Sequence, residues 1–472
     1  MNLEEFRAYG HQMVDWMADY LRDIETYPVK SQVAPGDIIG QLPVQMPKQG
    51  EGMEKILSDF QQIIMPGITH WQHPGFYAYF PANSSFPSVL AEMLTATLGA
   101  QCMIWDTSPA AAELEERMME WLQELLDLPG NWVGALQATA SEATLVALLS
   151  AREQASNWRI NQEGFSGQEK YRIYASSETH SSIEKAVKIA GFGRENLVYV
   201  RAKEDLSLDP KALRQAIESD IRAGLKPLCA IATLGTTSTT AIDPVGDMGA
   251  ICKEFGLWLH VDAAYGGSAL ALPALRPLAK GLELADSFVF NPHKWLLTNF
   301  DCSAYYVQDK AALLRTFEIL PEYLKTTHDK QVNNYRDWGI PLGRRFRALK
   351  LWFVLRHYGA EGIRAVLQQH MDWATELEGW VNEHPDFKQM APRSLNLVCF
   401  RYAPAGQSNT AELDRLNQVL LQQLNASGKI YLTHTKVKGA YTLRLVIGQS
   451  RMDRQHVVQA WEQIVETASQ LQ

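Results

Sequence analysis

A lysine among apolar residues is the position in this chain that most clearly suggests chemistry. Lys294 follows the short apolar run Phe288–Phe290 and the dipeptide Asn291-Pro292, and it precedes Trp295-Leu296-Leu297. Burial lowers the pKa of a lysine, and the neutral amine is a nucleophile that can form a Schiff base with a carbonyl group. The alternative is a lysine whose stem packs while its ammonium group reaches solvent. Residues that precede Lys294 in the chain favour the first interpretation.

Further polar residues directly follow apolar runs. Ala140 and Ser141 open a helical stretch after such a run, and free backbone N–H groups at a helix start suit a phosphate. An N-cap by Thr139 or Ser141 is the simpler alternative. No glycine-rich loop accompanies this helix start, which excludes a dinucleotide fingerprint and a Walker loop.

An imidazole, a hydroxyl cluster and a carboxylate follow three other apolar runs. His180 could stack on a ligand ring or transfer a proton, unless it is an ordinary hydrogen-bonded loop histidine. Thr237 belongs to the hydroxyl cluster. Asp262 is followed by small residues, which leave room for a flat ligand beside a carboxylate. Its alternative role is a helix N-cap.

The apolar runs alternate with helical segments between residues 131 and 310, and several lack the polar alternation of a half-exposed strand. This pattern predicts an α/β fold with a mostly parallel sheet that is covered on both faces. The predicted strands are 132–137, 171–175, 197–200, 228–234, 257–262, 286–290 and 303–307. Because such sheets bind ligands at the carboxyl ends of their strands, the residues named above should meet at one edge.

Together these residues offer a phosphate site, a stacking imidazole, a buried carboxylate and a lysine able to form a Schiff base. Pyridoxal phosphate needs each of them. Its aldehyde binds a lysine, its pyridine nitrogen needs a carboxylate to stay protonated, and its phosphate suits a helix start. The sequence therefore predicts a pyridoxal-phosphate site.

The remaining chain supplies helices and a second, smaller domain. Residues 2–23 form an amphipathic helix with Asn2 and Glu5 as a capping box, and its apolar face must pack on the body of the chain or on a second copy. Further helices are predicted over 53–65, 86–98 and 109–127. The C-terminal part is predicted as a small α+β domain with helices through 356 and over 361–382, 410–425 and 454–468, and strands near 395–401 and 440–447.

An irregular segment rich in aromatic residues lies between the helices of the N-terminal part. Residues 69–83 combine Trp71, Phe76, Tyr77, Tyr79 and Phe80 with histidines, prolines and a glycine. The aromatic rings could fill a core. They could also form the wall of a pocket for a flat apolar ligand.

Composition excludes several classes of protein. The 472 residues are 46% hydrophobic and 21% charged, as in an ordinary globular protein, and the net charge of −9 argues against nucleic acid or an anionic membrane as a partner. The five cysteines are scattered without metal-binding spacing, which predicts free thiols in a reducing compartment. No apolar run is long enough to span a membrane, and the acidic N-terminus does not match a signal peptide. We expect a cytoplasmic protein.

The motifs that contain these residues resemble those of the group II pyridoxal-phosphate-dependent amino acid decarboxylases, and most closely the members that act on aromatic L-amino acids. The resemblance extends from about Phe6 to Met452. The carrying motifs are Thr69-His70-Trp71, Ala78-Tyr79-Phe80-Pro81, Ser108-Pro109, Glu113-Leu114-Glu115, Ala140-Ser141-Glu142-Ala143-Thr144, His180-Ser181-Ser182, His260-Val261-Asp262-Ala263-Ala264-Tyr265, Asn291-Pro292-His293-Lys294-Trp295 and Ile340-Pro341-Leu342-Gly343-Arg344-Arg345.

The resemblance implies the overall organisation. The fold would be the type I fold of pyridoxal-phosphate enzymes, with an N-terminal helical segment (1–85), a large cofactor-binding domain with a seven-stranded sheet (86–345) and a small C-terminal α+β domain (346–472). The family forms homodimers with active sites at the interface, and the N-terminal helices would wrap around the partner.

The resemblance also implies roles for individual residues. Lys294 would bind the cofactor as a Schiff base, Asp262 would pair with the pyridine nitrogen, and His180 would stack on the ring and assist proton transfer. Tyr323 matches a loop tyrosine that protonates Cα after CO2 leaves. The other residues around the cofactor or its phosphate would be Ala140, Ser141, Thr237, Ala264, Asn291 and His293.

The implied substrate pocket departs from the family pattern in places. Trp71, Tyr79, Phe80 and Pro81 match the aromatic pocket, but Ala82 stands where animal members have a threonine that contacts a ring hydroxyl. Gln101 and Met103 stand where two apolar residues are expected from the other subunit, and the Gln101 amide could replace the ring-hydroxyl contact. Gly343 leaves room for an indole. Tyrosine, phenylalanine, tryptophan and their hydroxylated forms all remain possible substrates.

Four other functions were considered. An aminotransferase would use an arginine of the small domain for the substrate carboxylate, and Arg444 could supply one. An aromatic aldehyde synthase couples decarboxylation to oxidative deamination; the resemblance implies that such enzymes often replace the loop tyrosine or the stacking histidine, so Tyr323 and His180 favour simple decarboxylation. The others are decarboxylation of a non-aromatic amino acid and a binding protein on an inactive scaffold.

Overall fold

The structure is a computed structural model that describes residues 1–165, 169–319 and 331–471. Two compact units form within the chain. The large unit consists of Ala82–Thr375 and Ala391–Val398, and the small unit of Met1–Pro81, Glu376–Met390 and Cys399–Gln472. The domain boundaries after residues 85 and 345 stay a prediction. Tyr323 lies outside the described residues.

A seven-stranded sheet with strand order β1-β7-β6-β5-β4-β2-β3 forms the centre of the large unit. Antiparallel pairing occurs between β1 and β7 and between β6 and β7, and the other pairs are parallel. All strands except β7 therefore point in one direction, which confirms the predicted mostly parallel sheet. The strands are β1 (Val133–Gln137), β2 (Tyr171–Ser176), β3 (Leu197–Val200), β4 (Lys226–Thr233), β5 (Trp258–Asp262), β6 (Ser287–Phe290) and β7 (Ser303–Val307).

Helices cover this sheet, as the continuous apolar runs require. Every residue of β5, β6 and β7 is buried, and the core joins side chains of the sheet to those of α5 and α7. The helices that begin in the large unit are α3 (Phe86–Leu98), α4 (Pro109–Leu126), α5 (Ala140–Ala155), α6 (Arg159–Glu163), α7 (Ser181–Ile189), α8 (Pro210–Arg222), α9 (Val245–Phe255), α10 (Pro292–Trp295), α11 (Lys310–Phe317) and α12 (Arg347–Glu383). Gly359 has φ 62° and interrupts α12, at the break predicted between residues 356 and 361.

The small unit combines helices with a short antiparallel sheet of order β10-β11-β9-β8. Its elements are α1 (Leu3–Arg22), α2 (Met53–Asp59), α13 (Thr410–Ala426), α14 (Arg454–Ser469), β8 (Phe387–Gln389), β9 (Leu397–Tyr402), β10 (Thr433–Val437) and β11 (Ala440–Val446). The predicted α+β character is confirmed. Strands β8 and β10 were missed because β8 is only three residues long and β10 is a polar, alternately exposed strand.

The two N-terminal helices lie where the sequence predicts them. Asn2 and Glu5 form the predicted capping box of α1. The helical stretch predicted over 53–65 is confirmed, and its geometry changes along the chain: α2 ends at Asp59 and a π-helical turn (Phe60–Ile64) follows. Phe60 packs edge-on against Trp16 at 5.1 Å between ring centroids. Among the helices of the described residues, none combines the length and the apolar character that a membrane span requires.

Candidate active site

Lys294 lies in α10, a helix of four residues that follows β6. Its neighbours Trp295, Leu296 and Leu297 are buried, as predicted. The Trp295 ring stacks on Tyr265 at 5.2 Å between centroids, and its Nε1 donates a hydrogen bond to His370 Nδ1 at 2.9 Å. The apolar wall beside the lysine is therefore fixed by packing and by a buried hydrogen bond.

The surroundings of Lys294 favour a neutral amine. The residue keeps part of its surface accessible, but desolvation of the ammonium group lowers its pKa, and the carboxylate of Asp262 opposes this effect only in part. A lysine whose charged group reached water freely would not be desolvated. The structure thus agrees with the interpretation of Lys294 as a nucleophile.

Asp262 is the last residue of β5 and is only 5% exposed. Its Oδ1 accepts a hydrogen bond from the Ala264 backbone N–H at 3.0 Å. The next helical turn begins at Gly266 with Tyr265 as its N-cap. Asp262 is therefore not a helix cap, and a buried carboxylate remains at the strand end.

The small residues after Asp262 serve two purposes. A Cβ on Gly266 would lie 2.3 Å from the Leu234 carbonyl oxygen, and one on Gly267 would lie 2.4 Å from Phe290 Cβ. Both glycines are required by close packing of the chain. Ala264 is half-buried and is the small residue that leaves open surface beside Asp262.

His180 is the N-cap of α7, and this role fixes its ring. Nδ1 accepts a hydrogen bond from the Ser182 backbone N–H at 3.1 Å and lies 2.7 Å from Ser182 Oγ. A neutral ring with Nδ1 as acceptor carries its proton on Nε2. Partial desolvation lowers the pKa of His180, the ammonium of Lys294 lowers it further, and the carboxylate of Asp262 raises it. The imidazole therefore lies near both groups.

The start of α5 has the properties of an anion site. Thr139 is the N-cap, and its Oγ1 accepts a hydrogen bond from the Glu142 N–H at 3.3 Å, so the capping alternative is confirmed. The backbone N–H groups of Ala140 and Ser141 have no hydrogen-bond acceptor within the described part of the chain. Unpaired N–H groups at the positive end of a helix suit a phosphate.

Asn291 and His293 are fixed by the first residues of the neighbouring strand. Ser303 Oγ donates to Asn291 Oδ1 at 2.6 Å, and the Cys302 N–H donates to His293 Nδ1 at 2.8 Å. Burial and the adjacent Lys294 lower the pKa of His293 to about 3, so this ring is neutral at physiological pH. Thr237 lies exposed on the turn after β4.

The strand directions bring these residues to one place. β1, β2, β4, β5 and β6 end at the same edge of the sheet, and the predicted residues follow those ends. A desolvated lysine, a buried carboxylate and free helix N–H groups fit a ligand with an aldehyde, a basic ring nitrogen and a phosphate. Pyridoxal phosphate is such a ligand.

The aromatic segment belongs to the small unit as far as Pro81, and some of its rings are buried while others are exposed. Phe76 and Tyr77 are buried in its core. Trp71 and Tyr79 are 37% and 50% exposed and stack with their ring centroids 5.8 Å apart. The Tyr79 hydroxyl lies 3.2 Å from the Tyr431 hydroxyl. An exposed pair of stacked rings is suited to contact with a flat ligand.

The end of the aromatic segment is fixed by an arginine of the same unit. Phe80 and Pro81 are buried, and the Arg444 guanidinium lies 5.5 Å from the centroid of the Phe80 ring. Arg444 is itself buried and donates a hydrogen bond to Thr433 Oγ1 at 2.8 Å. These contacts explain its place on the strand without a substrate carboxylate, which disfavours the aminotransferase alternative.

Gln101 and Gly343 form one exposed patch in the large unit. Gln101 Oε1 accepts a hydrogen bond from the Arg344 N–H at 2.7 Å, and a Cβ on Gly343 would lie 3.3 Å from Gln101 Nε2. The Met103 carbonyl oxygen accepts from the Arg336 N–H at 2.9 Å. Ala82, the first residue of this unit, is half-buried.

The sequence did not reveal two side chains that contact the lysine segment. Asn83 Nδ2 donates to the Lys294 carbonyl oxygen at 2.8 Å, and Ser85 Oγ donates to the Leu297 carbonyl oxygen at 2.7 Å. More than 200 positions separate the partners. Asn83 is the last residue of the aromatic segment 69–83, and no pattern in the sequence indicates its partner.

Comparisons with known proteins found a matching family model, relatives and a similar solved structure. The family model described as the pyridoxal-dependent decarboxylase conserved domain matches residues 35–403. A phenylacetaldehyde synthase of Arabidopsis thaliana is 43% identical over 100% of this chain and 97% of its own. An aromatic-L-amino-acid decarboxylase of Mus musculus is 43% identical over 99% of this chain and 98% of its own. The solved structure of Oryza sativa TDC with PLP and tryptamine is similar, with a TM-score of 0.96 and 36% identity over 100% of this chain and 99% of that one.

Proposed function

This chain belongs to the pyridoxal-dependent decarboxylase family, and on that premise we propose that it decarboxylates an aromatic L-amino acid to the arylethylamine and CO2. Its cofactor is pyridoxal phosphate. One observation carries the proposal most strongly: the buried carboxylate of Asp262 lies close enough to raise the pKa of both the desolvated Lys294 and His180, at one edge of the sheet.

Residues of the large unit would hold the cofactor. Lys294 would bind its aldehyde, Asp262 its pyridine nitrogen, and the α5 start its phosphate through the N–H groups of Ala140 and Ser141. The remaining contacts would come from His180, Thr237, Ala264, Asn291 and His293. The chemistry that the bound cofactor supplies is an electron sink for the pair released when CO2 leaves.

The chain's own residues would orient the substrate and move protons. Lys294 reacts as a neutral amine, because desolvation lowers its pKa. The His180 ring is oriented by the Ser182 N–H and would present its opposite nitrogen to the site. Tyr323, which lies outside the described residues, would deliver a proton to Cα of the product.

An aromatic substrate is supported by the flat surfaces available to it. Trp71, Tyr79, Phe80 and Pro81 would contact the substrate ring. Small side chains at Ala82 and Gly343 would leave space, and the Gln101 amide would meet a ring hydroxyl, with Met103 beside it. Relatives of this chain are named tyrosine and tryptophan decarboxylases, so tyrosine, phenylalanine, tryptophan and their hydroxylated forms are the candidates.

We also propose that the enzyme is a homodimer with active sites at the subunit interface. Leu3 and Phe6 on α1 are exposed, as are Phe86, Leu94 and Leu98 on α3. Exposed apolar side chains on a helix are of the kind that protein partners cover, and each of these two helices carries its own set. A cytoplasmic location is supported by the cysteines, all five of which are buried free thiols.

A product assay tests the function. Purified protein with pyridoxal phosphate is incubated with tyrosine, phenylalanine, tryptophan, DOPA, glutamate and 2,4-diaminobutyrate, and CO2, amine and aldehyde are measured separately. Amine and CO2 in equal amounts from the aromatic amino acids alone are expected. Amine formed from glutamate or diaminobutyrate would support decarboxylation but contradict the proposed pocket for an aromatic side chain. A protein that releases no CO2 from any of them would contradict the proposal.

The second candidate is an aromatic aldehyde synthase, because a relative with 43% identity has the name phenylacetaldehyde synthase. That reaction consumes O2 and water and yields aldehyde, CO2, ammonia and hydrogen peroxide. We expect amine as the main product of the wild-type chain, since Tyr323 and His180 are both present. Dominant aldehyde with matching O2 uptake would favour the second candidate.

The assignment of Tyr323 is tested by removing its hydroxyl. Tyr323→Phe should shift the product from amine towards aldehyde, hydrogen peroxide and ammonia, because Cα loses its proton donor. O2 uptake and peroxide are measured beside amine. The control is Tyr199→Phe, at an exposed tyrosine of β3, which should leave the product ratio unchanged. An unchanged amine yield in Tyr323→Phe would show that the loop assignment is wrong.

A further inference from the structure

The helix that carries Lys294 is too short to satisfy its own backbone. α10 has four residues, and the last carbonyl groups of any helix lack partners within it. Leu297, just beyond it, has φ 57°, a left-handed conformation that is costly for a branched residue. A buried turn of this kind is stable only when surrounding groups satisfy and constrain it.

Two side chains of one neighbouring segment do so. Asn83 Nδ2 donates to the Lys294 carbonyl oxygen, and Ser85 Oγ donates to the Leu297 carbonyl oxygen. The donor segment is itself anchored, since the Ser85 N–H donates to Ser88 Oγ at 3.0 Å and Ser88 Oγ donates to the Ser85 carbonyl oxygen at 2.9 Å. Asn83 and Ser85 are both buried. Each donor therefore lies in one defined position.

We propose that Asn83 is a positioning residue for Lys294, because its amide fixes the backbone from which the lysine side chain extends. The inference rests on the proposed function of Lys294 as the cofactor-binding lysine. A reactive group must be held within a fraction of an ångström of its productive position, and Asn83 acts directly on the residue that carries it. Ser85 makes the same kind of bond beyond the lysine and provides a matched comparison.

Removal of the Asn83 amide should affect the bond between Lys294 and the cofactor rather than the affinity for substrate. Asn83 bonds to the main chain of Lys294, so its loss alters the position of the Nζ atom. Asn83→Ala and the similarly sized Asn83→Leu, neither of which has an NH2 group or a charge, should each lower kcat about tenfold, as expected for loss of one buried hydrogen bond. KM for the amino acid should stay within about twofold of the wild-type value.

The experiment compares the two Asn83 variants with Ser85→Ala in the full-length enzyme loaded with pyridoxal phosphate. Five quantities are measured: Tm, the pH midpoint of the visible absorption of the bound cofactor, the rate of cofactor loss on dialysis, and kcat and KM with phenylalanine, tyrosine and tryptophan. We expect the Asn83 variants to shift the pH midpoint and to lose cofactor faster. Ser85→Ala should lower Tm by a similar amount with kcat and the pH midpoint near the wild-type values.

Several outcomes would overturn the proposal. Asn83 variants with a wild-type pH midpoint and kcat would do so, and so would a Ser85→Ala variant that loses as much kcat as they do. If Asn83→Ala is not recovered folded, Asn83→Leu is judged by the same kcat and pH midpoint. Wild-type protein that neither absorbs visible light with pyridoxal phosphate nor releases CO2 would contradict the proposed function and this inference together, whereas an active wild type with unaffected Asn83 variants contradicts the inference alone.

Discussion

At the scale of single residues, the environment of each group decides its chemistry. Lys294 and Asp262 are ordinary residue types, and their proposed functions depend on desolvation and on their mutual electrostatic interaction. Desolvation lowers the pKa of the lysine, and the carboxylate moderates the shift. His180 adds a ring whose orientation is set by a backbone N–H. The best tests of the site are therefore substitutions that keep the volume of a side chain and change only its charge or its hydrogen bonding.

Lys294→Ala removes the only proposed covalent contact to the cofactor. We expect loss of the visible absorption of bound pyridoxal phosphate and of CO2 release to below one hundredth of the wild-type rate, as an order of magnitude for loss of a covalent catalyst. The control is Lys253→Ala at an exposed lysine of α9, which should behave as wild type. Retained CO2 release in Lys294→Ala would contradict the mechanism.

Asp262→Asn removes a charge and keeps a hydrogen bond. The asparagine Oδ1 can still accept from the Ala264 N–H, so Tm should change little. The pyridine nitrogen would lose its anionic partner, and kcat should fall by about 100-fold or more, comparable with the loss of other buried electrostatic contacts in active sites. Steady-state kinetics and thermal unfolding are measured together. A variant with normal kcat would show that this carboxylate does not serve the cofactor.

At the scale of elements, a buried ion pair fixes the segment that ends in Gly343 and Arg344 to the edge of the sheet. Arg344 Nη1 donates to Glu115 Oε2 at 3.0 Å and Nη2 donates to Glu115 Oε1 at 2.7 Å, while the Leu136 N–H donates to Glu115 Oε1 at 2.8 Å. The Arg344 guanidinium also lies 4.9 Å from the Tyr335 ring centroid. This pair joins α4, β1 and the Gly343 segment.

Glu115→Ala would leave a buried guanidinium and a backbone N–H without their acceptor. The free energy of unfolding should fall by about 3–5 kcal/mol, the usual cost of breaking a buried pair by removing one partner. Denaturant unfolding of the purified protein gives this quantity. Glu254→Ala is the control, since Arg214 and Glu254 form the same two-bond geometry on the surface and should matter much less. Equal losses of the free energy of unfolding in both variants would contradict the claim that burial makes the Glu115–Arg344 pair more important.

At the scale of the whole molecule, buried histidines make stability depend on pH. Burial lowers the pKa of His260 to about 4, that of His73 to about 4 and that of His293 to about 3. The unfolded chain binds protons at these rings below the ordinary histidine pKa of 6.5, while the folded chain does not. Their contribution to stability is therefore complete above pH 6.5 and is lost as the pH falls towards 4.

Two buried carboxyl groups act in the opposite direction. Burial raises the pKa of Asp243 and of Asp286 to about 6. The folded state then binds protons more readily than the unfolded state between pH 6 and 3.8, and these groups add stability as the pH falls through that window. The change in the free energy of unfolding at low pH is the difference between the loss from the buried histidines and the gain from the two aspartates. The contribution of one histidine must therefore be measured by substituting it.

His260→Asn tests this balance at a fully buried ring. His260 Nδ1 lies 2.9 Å from Ser287 Oγ and its Nε2 lies 3.4 Å from Thr144 Oγ1, and an amide can bond one or both hydroxyls. Between pH 7 and 5 the wild type should lose about 2 kcal/mol more of its free energy of unfolding than the variant, because the unfolded ring binds its proton over the roughly 1.5 pH units below 6.5 at 1.36 kcal/mol per unit. Denaturant unfolding at several pH values measures the slopes. The exposed His11→Asn should leave the slope unchanged; a wild-type slope in His260→Asn would contradict the argument.

The sequence by itself determined the sheet and the residues at its carboxyl edge. Apolar runs followed by Ala140, His180, Asp262 or Lys294 are local patterns, and a parallel sheet brings the ends of its strands together whatever the remaining packing is. The predicted strands and the free helix start at α5 follow from such patterns. A role for a functional group could therefore be predicted wherever its residue directly followed a strand.

Only the tertiary structure decided how those groups are supported. The bond from Asn83 to Lys294, the pair of Glu115 with Arg344, and the use of Gly266 and Gly267 for close packing join positions with no pattern between them. Hydrogen bonds between distant residues leave no local periodicity, and burial of a side chain depends on every element packed around it. The sequence could name the reactive lysine, but only the folded chain shows what fixes its backbone.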